Sequence, residues 1–348
     1  MNNFDFSTVR KILIIKPRGI GDVVLSTIVL KDLRRAFPTS TIDYLVEPPS
    51  EPAVKHLLTI SDVVVFDKRK TNSLKFLFEV RKRKYDLVID LFNNPRTALI
   101  TYMSGAKYRI GFAIKGRQYA YNIPVERDLN LHSAEHNLLP LKTLGIEITS
   151  KQIEFAIPQS EQTFAKEFIQ KNTDSSKLLV GIGLGGGWAS KRCVPEKLAE
   201  IADAIVEKYN AEIIILWGSD DKSDADVISK KMKNHCVLLP PTTLLDAAGF
   251  MKLCSAVIVN DSGTMHVSAA TGTPTLGIFG PTNPLAHGPY GGKHEWVRNE
   301  QLVCIGCNLL DCPIEHQCMN ELSVEKVIAA FDRLLKKNNI EMQNTVTA

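Results

Sequence analysis

Asn260-Asp261-Ser262-Gly263-Thr264-Met265-His266 sets an acid, two hydroxyls, a glycine and an imidazole directly after the apolar run Ala256 to Val259. The pattern predicts a strand running through a short polar turn into a small-residue helix. Such a junction aims the free N–H groups of the helix's first turn, and the positive end of its dipole, at one point. That point is a ready site for an anion, phosphate above all. Asp261 would repel a phosphate unless something offsets its charge. It is suited either to accept hydrogen bonds from sugar hydroxyls or to cap the helix, a role for which Asp is favoured. His266, one turn on, either faces the anion turn beside Gly263 and Thr264 or packs inward. A second strand, Thr275 to Ile278, leads into Phe279-Gly280-Pro281-Thr282.

Other residues could add chemistry. Asp22 follows the apolar run Lys11 to Ile15 and the turn Lys16-Pro17-Arg18-Gly19-Ile20-Gly21. At a helix start it is either a cap or a carboxylate placed to take a proton from an attacking hydroxyl. Gly181-Ile182-Gly183-Leu184-Gly185-Gly186 matches the dinucleotide pattern G-x-G-x-x-G. Its first glycines fall inside an apparent strand, however, where the dinucleotide pattern needs them in the turn, and they could simply allow tight packing. Lys191-Arg192 follows that loop, and a cation there suits a pyrophosphate leaving group. Asp220-Asp221 follow the strand ending at Trp217, where an acid either meets ribose hydroxyls or belongs to a solvated loop. Cys304, Cys307, Cys312 and Cys318 are close enough in sequence to hold one zinc ion. Free thiols are the equal alternative, and an iron–sulfur cluster is a remoter one. His132, His136 and His287 have no metal-ligand spacing, and neither G-x-S-x-G nor H-E-x-x-H is present.

The elements that must position these residues alternate. Strand-like runs at Lys11–Ile15, Ile42–Val46, Val63–Phe66 and Leu87–Leu91 are separated by helical patterns at Val23–Phe37 and Ser73–Arg83. After a connection (residues 151–177) carrying one helix, Glu161–Lys171, the pattern restarts with a strand at Leu178–Leu184. Helices at Pro195–Lys208, Lys222–Lys233 and Leu244–Cys254 then alternate with strands, Glu212–Trp217 among them. A last helix covers Val324–Lys337, and a frayed polar tail is expected over 338–348. Alternation of this kind gives parallel sheets with helices on both faces. The expected fold is α/β, two Rossmann-like domains (1–150 and 178–322) facing a cleft, with ligands at the carboxyl ends of the strands.

A length of 348 residues agrees with two domains. No apolar run approaches the roughly 20 residues that would span a bilayer. Met1 to Arg10 lacks the apolar core of a signal peptide, so a cytoplasmic location is expected. Residues 1–150 hold 23 Lys/Arg against 15 Asp/Glu, whereas the remainder holds 19 against 23. Two basic clusters, Lys68-Arg69-Lys70 and Arg81-Lys82-Arg83-Lys84, contribute to the positive half. They are either solvated helix faces or the footprint of an anionic partner. No aromatic residues interleave with them as in single-strand nucleic-acid binders, so no nucleic acid is expected.

Taken together, these residues resemble the lipopolysaccharide heptosyltransferase-like glycosyltransferases of family 9. The likeness rests on Ile12 to Thr27, on Trp188 to Pro195, on Asn260 to His266 with Phe279-Gly280-Pro281-Thr282, and on Gly288-Pro289-Tyr290-Gly291. Cys304 to Cys318 also resembles a cluster found in many members. The resemblance covers roughly residues 10–336 and implies a GT-B fold, with acceptor on the first half and nucleotide-sugar on the second. It implies an inverting, metal-independent transfer with no required cofactor, from an ADP-sugar such as ADP-heptose to an anionic lipid-linked glycan. That acceptor suits a positive first half and a peripheral position at the inner face of the cytoplasmic membrane. Asp22 matches the family's general base. Lys191, Asp221, Asp261, Gly263, Thr264, Met265 and His266 match donor-binding positions, and Arg18 an acceptor-binding one. Asp221 stands where members often have a longer Glu. The alternatives are an NAD-dependent dehydrogenase using the glycines at 181–186, and a non-catalytic relative that binds nucleotide or glycan.

Overall fold

Ile12 to Ile15 are four successive apolar residues, all fully buried, and they form the core of the first strand, β1 (Lys11–Ile15), in the computed structural model, which describes residues 5–340. A continuous apolar strand is what a parallel sheet covered on both faces requires. The chain divides into two compact units, one up to Ala156 and one from Ile157.

In the first unit β1 is followed by α1 (Ile20–Ser26), α2 (Leu30–Ala36), β2 (Thr41–Val46), β3 (Asp62–Val65) and α3 (Ser73–Lys82). Then come β4 (Leu87–Asp90), α4 (Pro95–Ser104), β5 (Tyr108–Phe112), β6 (Ile123–Val125) and the short helices α5 (Ser133–His136) and α6 (Leu139–Thr143). The six strands are all parallel, in the order β3-β2-β1-β4-β5-β6. The single helix expected over Val23–Phe37 starts three residues earlier and is split by a 3-10 turn at Thr27–Val29. The hydroxyls of Ser26 and Thr27 donate back to Val23 O and Val24 O, both at 2.7 Å, a local competition that loosens a helix. Thr27 also accepts from Glu154 N at 2.8 Å and donates to Glu154 O at 2.9 Å, which anchors the chain leaving this unit.

The second unit holds α7 (Gln159–Asn172), β7 (Leu178–Gly183), α8 (Pro195–Tyr209), β8 (Ala211–Leu216), α9 (Lys222–Lys231), β9 (Cys236–Leu238) and α10 (Leu244–Leu253). It continues through β10 (Ala256–Asn260), α11 (Gly263–Ala270), β11 (Thr275–Phe279), α12 (Pro284–His287), β12 (Glu295–Arg298), α13 (Gln317–Asn320) and α14 (Val324–Lys337). Its six strands are again all parallel, ordered β12-β11-β10-β7-β8-β9. Helix α7 packs on α10, and α14 buries Val327, Ala330, Phe331, Leu334 and Leu335 in the main core of this unit. The first residues of the expected frayed tail close α14 instead: Asn338 donates to Lys293 O at 2.8 Å, and Ile340 N bonds to Leu335 O. Residues 341–348 of that tail lie outside the described residues, as do Met1 to Phe4. Among the described residues no helix is long and apolar enough to cross a membrane.

Strand order in each sheet reverses direction once, between β1 and β4 in the first unit and between β7 and β10 in the second. The carboxyl ends of such strand pairs are where open α/β sheets bind ligands. Asp22 and Asp261 each follow one of these four strands.

One buried carboxylate fixes the end of the first unit. Asp32 on α2, fully buried, accepts hydrogen bonds from Thr149 N at 3.0 Å and Ser150 N at 3.1 Å, and from the Thr149 hydroxyl. Burial disfavours its charge, but these donors and Arg35 outweigh that and hold its pKa below the ordinary value. A depressed carboxylate pKa stabilises the fold above the unfolded value, near 3.9, and this contribution disappears as pH falls through the folded value. Asp32→Asn is therefore expected to cost about 1–3 kcal/mol in urea unfolding at pH 7. The gap to the parent protein should close as the pH falls below about 4; a gap unchanged at low pH would mean that the charge on Asp32 does not matter.

Candidate active site

In the second unit, Asn260 at the end of β10 stitches two segments together. Its Nδ2 donates to Leu184 O at 3.0 Å and its Oδ1 accepts from Cys193 N at 3.1 Å. The loop from β7 to α8 is thereby pinned against the end of β10. Gly185 in that loop passes so near α11 that a Cβ there would lie 3.5 Å from Thr264 Oγ1. A 3-10 turn, Ala189–Lys191, ends in the lysine. Lys191 Nζ stands 2.7 Å from Asp261 Oδ2, and its ammonium lies 4.4 Å from the centre of the Trp188 ring. Both partners of the ion pair are largely buried, with side chains 16% and 4% exposed. The Thr282 hydroxyl donates to the same carboxylate oxygen, and Asp261 N bonds to Ile278 O at 3.0 Å.

Asp261 is therefore not the helix cap. Ser262 occupies that position, and its side chain makes no capping bond. Its hydroxyl pairs with Thr264 Oγ1 at 2.8 Å instead. The N–H groups of the first turn of α11 thus lack the side-chain acceptor that Thr243 supplies to α10 and Asn94 to α4. An uncapped helix N-terminus beside a lysine is an anion-binding arrangement. Of the residues expected here, Gly263, Thr264 and Met265 form this turn. The Met265 side chain is fully buried, and a Cβ on Gly277 would come 2.8 Å from its Sδ, so only its backbone can face a ligand. His266 is buried on the same helix.

Asp221 is held elsewhere. It is buried, and Arg192 Nη2 binds Asp221 Oδ1 and Asp224 Oδ2, both at 2.6 Å. Gly181 and Gly183 lie inside β7. A Cβ on them would come 2.8 Å from Leu216 Cδ1 and 3.0 Å from Val259 Cγ2, so these glycines serve packing within the sheet. They do not form the phosphate turn that a dinucleotide site would need.

In the first unit α1 is preceded by its N-cap Gly19, whose φ of +82° only glycine adopts easily. Asp22 is the third residue of the helix, exposed, with its carboxylate against Gly19, and it does not cap the helix. Beside it, buried Lys16 donates to Leu91 O at 3.2 Å. Burial pulls the Lys16 pKa down, while Asp22 and Asp90 oppose that. Asp90, fully buried at the end of β4, accepts from Phe92 N at 3.0 Å, Asn93 N at 2.9 Å and the Tyr121 hydroxyl at 2.8 Å. Burial raises its pKa against these bonds. The exposed Arg18 guanidinium lies 5.6 Å from the centre of the Phe92 ring. The sequence reading passed over Lys16, Asp90, Trp188 and Thr282 as site residues. Lys16, Trp188 and Thr282 lie in the segments that carry the family resemblance, and for Asp90 the signal was an acid closing a buried strand, Leu87 to Asp90.

Among the described residues no three His, Cys, Asp or Glu side chains converge closely enough to hold a metal ion. Cys304, Cys307, Cys312 and Cys318, where zinc was one expectation, are not gathered into such a group. Cys304 and Cys307 are exposed, and Cys318 is pushed up to about 11 by burial and then by its three neighbouring thiols.

Residues 73–317 match the model of glycosyltransferase family 9 (heptosyltransferase). A lipooligosaccharide heptosyltransferase 2 of Haemophilus ducreyi is 27% identical over 301 residues, covering 79% of this chain and 84% of that protein. Among solved structures, the family 9 glycosyltransferase from Veillonella parvula superposes with a TM-score of 0.82 at 25% identity, covering 94% of this chain and 97% of the other. Escherichia coli heptosyltransferase WaaC with ADP superposes at 0.73 and 19% identity, over 93% and 99%. Two parallel-sheet α/β units with these likenesses constitute the GT-B fold, and the chain belongs to glycosyltransferase family 9, the heptosyltransferases.

Proposed function

We propose that this glycosyltransferase moves heptose from ADP-heptose to the core of lipopolysaccharide or a related anionic, lipid-linked glycan. It inverts the anomeric centre, needs no metal ion and works in the cytoplasm at the inner face of the membrane. The observation that carries this reading is the Lys191–Asp261 pair beside the uncapped N-terminus of α11. A nucleoside diphosphate leaving group needs positive charge where its own negative charge develops. Lys191 and the N–H groups of Gly263, Thr264 and Met265 supply it, in the role a divalent cation takes in other enzymes. Asp261 orients Lys191, and Thr282 orients Asp261. Relatives named as heptosyltransferases, and a solved relative bound to ADP, support the choice of donor.

The first unit supplies the base. Asp22 takes the proton of the acceptor hydroxyl, the oxygen attacks the anomeric carbon, and ADP departs with the electrons of the broken glycosyl–phosphate bond. Arg18 contacts the anionic acceptor. With Asp221 already bound to Arg192, any contact it makes to the ribose requires that pair to be shared.

Two experiments test these roles. Asp22→Asn should lower kcat by about 10²–10⁴ with ADP affinity nearly unchanged; retained turnover would rule out Asp22 as the base. Lys191→Met should lower kcat by about 10²–10³ and also destabilise the protein by about 3–5 kcal/mol, because Asp261 is left buried and unpaired. Adding Asp261→Asn should restore stability and leave turnover low. Recovery of both in the double variant would make the pair purely structural.

A further inference from the structure

Helix α3 buries Phe76, Leu77 and Val80 in a cluster it shares with α4 and the first sheet. Its opposite face also carries large apolar side chains, four residues apart: Leu74 is 68% and Phe78 63% exposed. Residues at that spacing stand one above the other on a helix. Helix α4 lies beside α3 on the same side of the sheet, and Arg81 joins them through a 3.3 Å bond to Met103 O. The outer face of α4 exposes Leu99 and Tyr102, and the Tyr102 ring meets exposed Tyr119 edge-on at 5.7 Å. Along the inner side of α3, away from Leu74 and Phe78, an open groove of about 340 Å³ at the sheet edge is lined by Val63, Val65, Phe76 and Val80 together with Glu79, Lys82 and Arg83. Large apolar side chains exposed together on the outer faces of neighbouring helices mark an interaction site.

Its border is strongly basic. Residues 67–84 contain eight Lys/Arg and two Asp/Glu. Arg83 is neutralised by Asp43 and Asp62, and Lys68 lies 3.8 Å from Glu47. Arg69, Lys70, Lys75, Arg81, Lys82 and Lys84 form no ion pair among the described residues, and all are exposed. Leu and Phe on one helix face, with Lys and Arg around them and tyrosines alongside, is the composition of a surface that rests in the headgroup region of an anionic bilayer. A second copy of the chain is a poorer occupant, since pairing this face with itself would set like charges against each other.

We infer that the outer face of α3 and α4 is the docking surface for an anionic lipid bilayer, its apolar side chains entering the interface and its lysines and arginines meeting lipid headgroups. The inference deepens the proposed function, because it says how an enzyme with no membrane-crossing helix among the described residues would stay beside a lipid-linked acceptor. It depends on that reading only in this respect.

The test is cosedimentation with vesicles of phosphatidylcholine alone and with about one third phosphatidylglycerol, alongside turnover on a lipid-free core oligosaccharide. The full chain should bind the anionic vesicles and not the neutral ones. Leu74→Ser with Phe78→Ser should weaken vesicle binding at least tenfold and leave turnover on the soluble acceptor unchanged; both side chains are exposed, so folding is preserved. Lys75→Glu or Lys82→Glu should each weaken binding at least fivefold. The inference is overturned if the full chain ignores anionic vesicles, or if the double variant binds them as the parent does. It is also overturned if the double variant turns a dimeric parent into a monomer, since the face then joins two copies. Vesicle binding that behaves as expected in a protein inert toward ADP-heptose would leave the surface standing and remove the donor assignment.

Discussion

A lysine and an aspartate that neutralise each other at the mouth of a parallel sheet set the terms for the rest of this molecule. Burying either charge alone costs several kcal/mol, so Lys191 and Asp261 must hold each other, and other groups must hold both. Asn260 ties the β7–α8 loop that carries Lys191 to the end of β10, which carries Asp261. Trp188 faces the ammonium and Thr282 hydrogen-bonds the carboxylate. The glycines of β7 let that strand seat closely against β8 and β10. The result is a cation held at a helix N-terminus whose N–H groups no side chain caps. An anion that displaces or shares the carboxylate meets charge that is already oriented, so little reorganisation is needed when a phosphate leaves.

The two units share a topology and use it differently. Each reverses strand order once and places polar residues after the strands on either side of that reversal. The second unit gathers positive charge there. The first exposes the carboxylate of Asp22 on a helix that Gly19 precedes as N-cap, near buried Lys16 and Asp90. A proton acceptor must be reachable by its substrate, whereas a leaving-group stabiliser works best away from water. The difference in exposure between Asp22 and Lys191 suits the division of labour proposed for them.

The long buried strands and amphipathic helices could be read from sequence because burial leaves a periodic signature in each of them. The strands that escaped notice are short or interrupted: β6 holds Pro124, β5 holds Gly111, and β9 and β12 have three and four residues. Three of these four lie at sheet edges, where apolar patterning is weakest. Helix α4 did carry readable signals, Asn94 and Thr97 in a capping box, Pro95 at its start and Gly105 past its end. At the site, residue types showed that an anion turn exists around Asp261. They left open whether Asp261 caps the helix or faces a ligand, because its partner Lys191 lies seventy positions away in sequence, and that distance is closed only by sheet order. Asp221 shows the same limit, since its partner Arg192 comes from the loop after a different strand.

Thermal unfolding in EDTA with ADP, UDP, GDP, CDP and NAD added one at a time tests the central claim most directly. A ligand at about 100 times its Kd adds roughly 2.7 kcal/mol of stability. For a domain of about 150–250 residues that raises Tm by several degrees. If Lys191 and the start of α11 hold the diphosphate of an ADP-sugar, ADP raises Tm by that amount without any divalent cation. A shift with NAD and none with the diphosphates would contradict it.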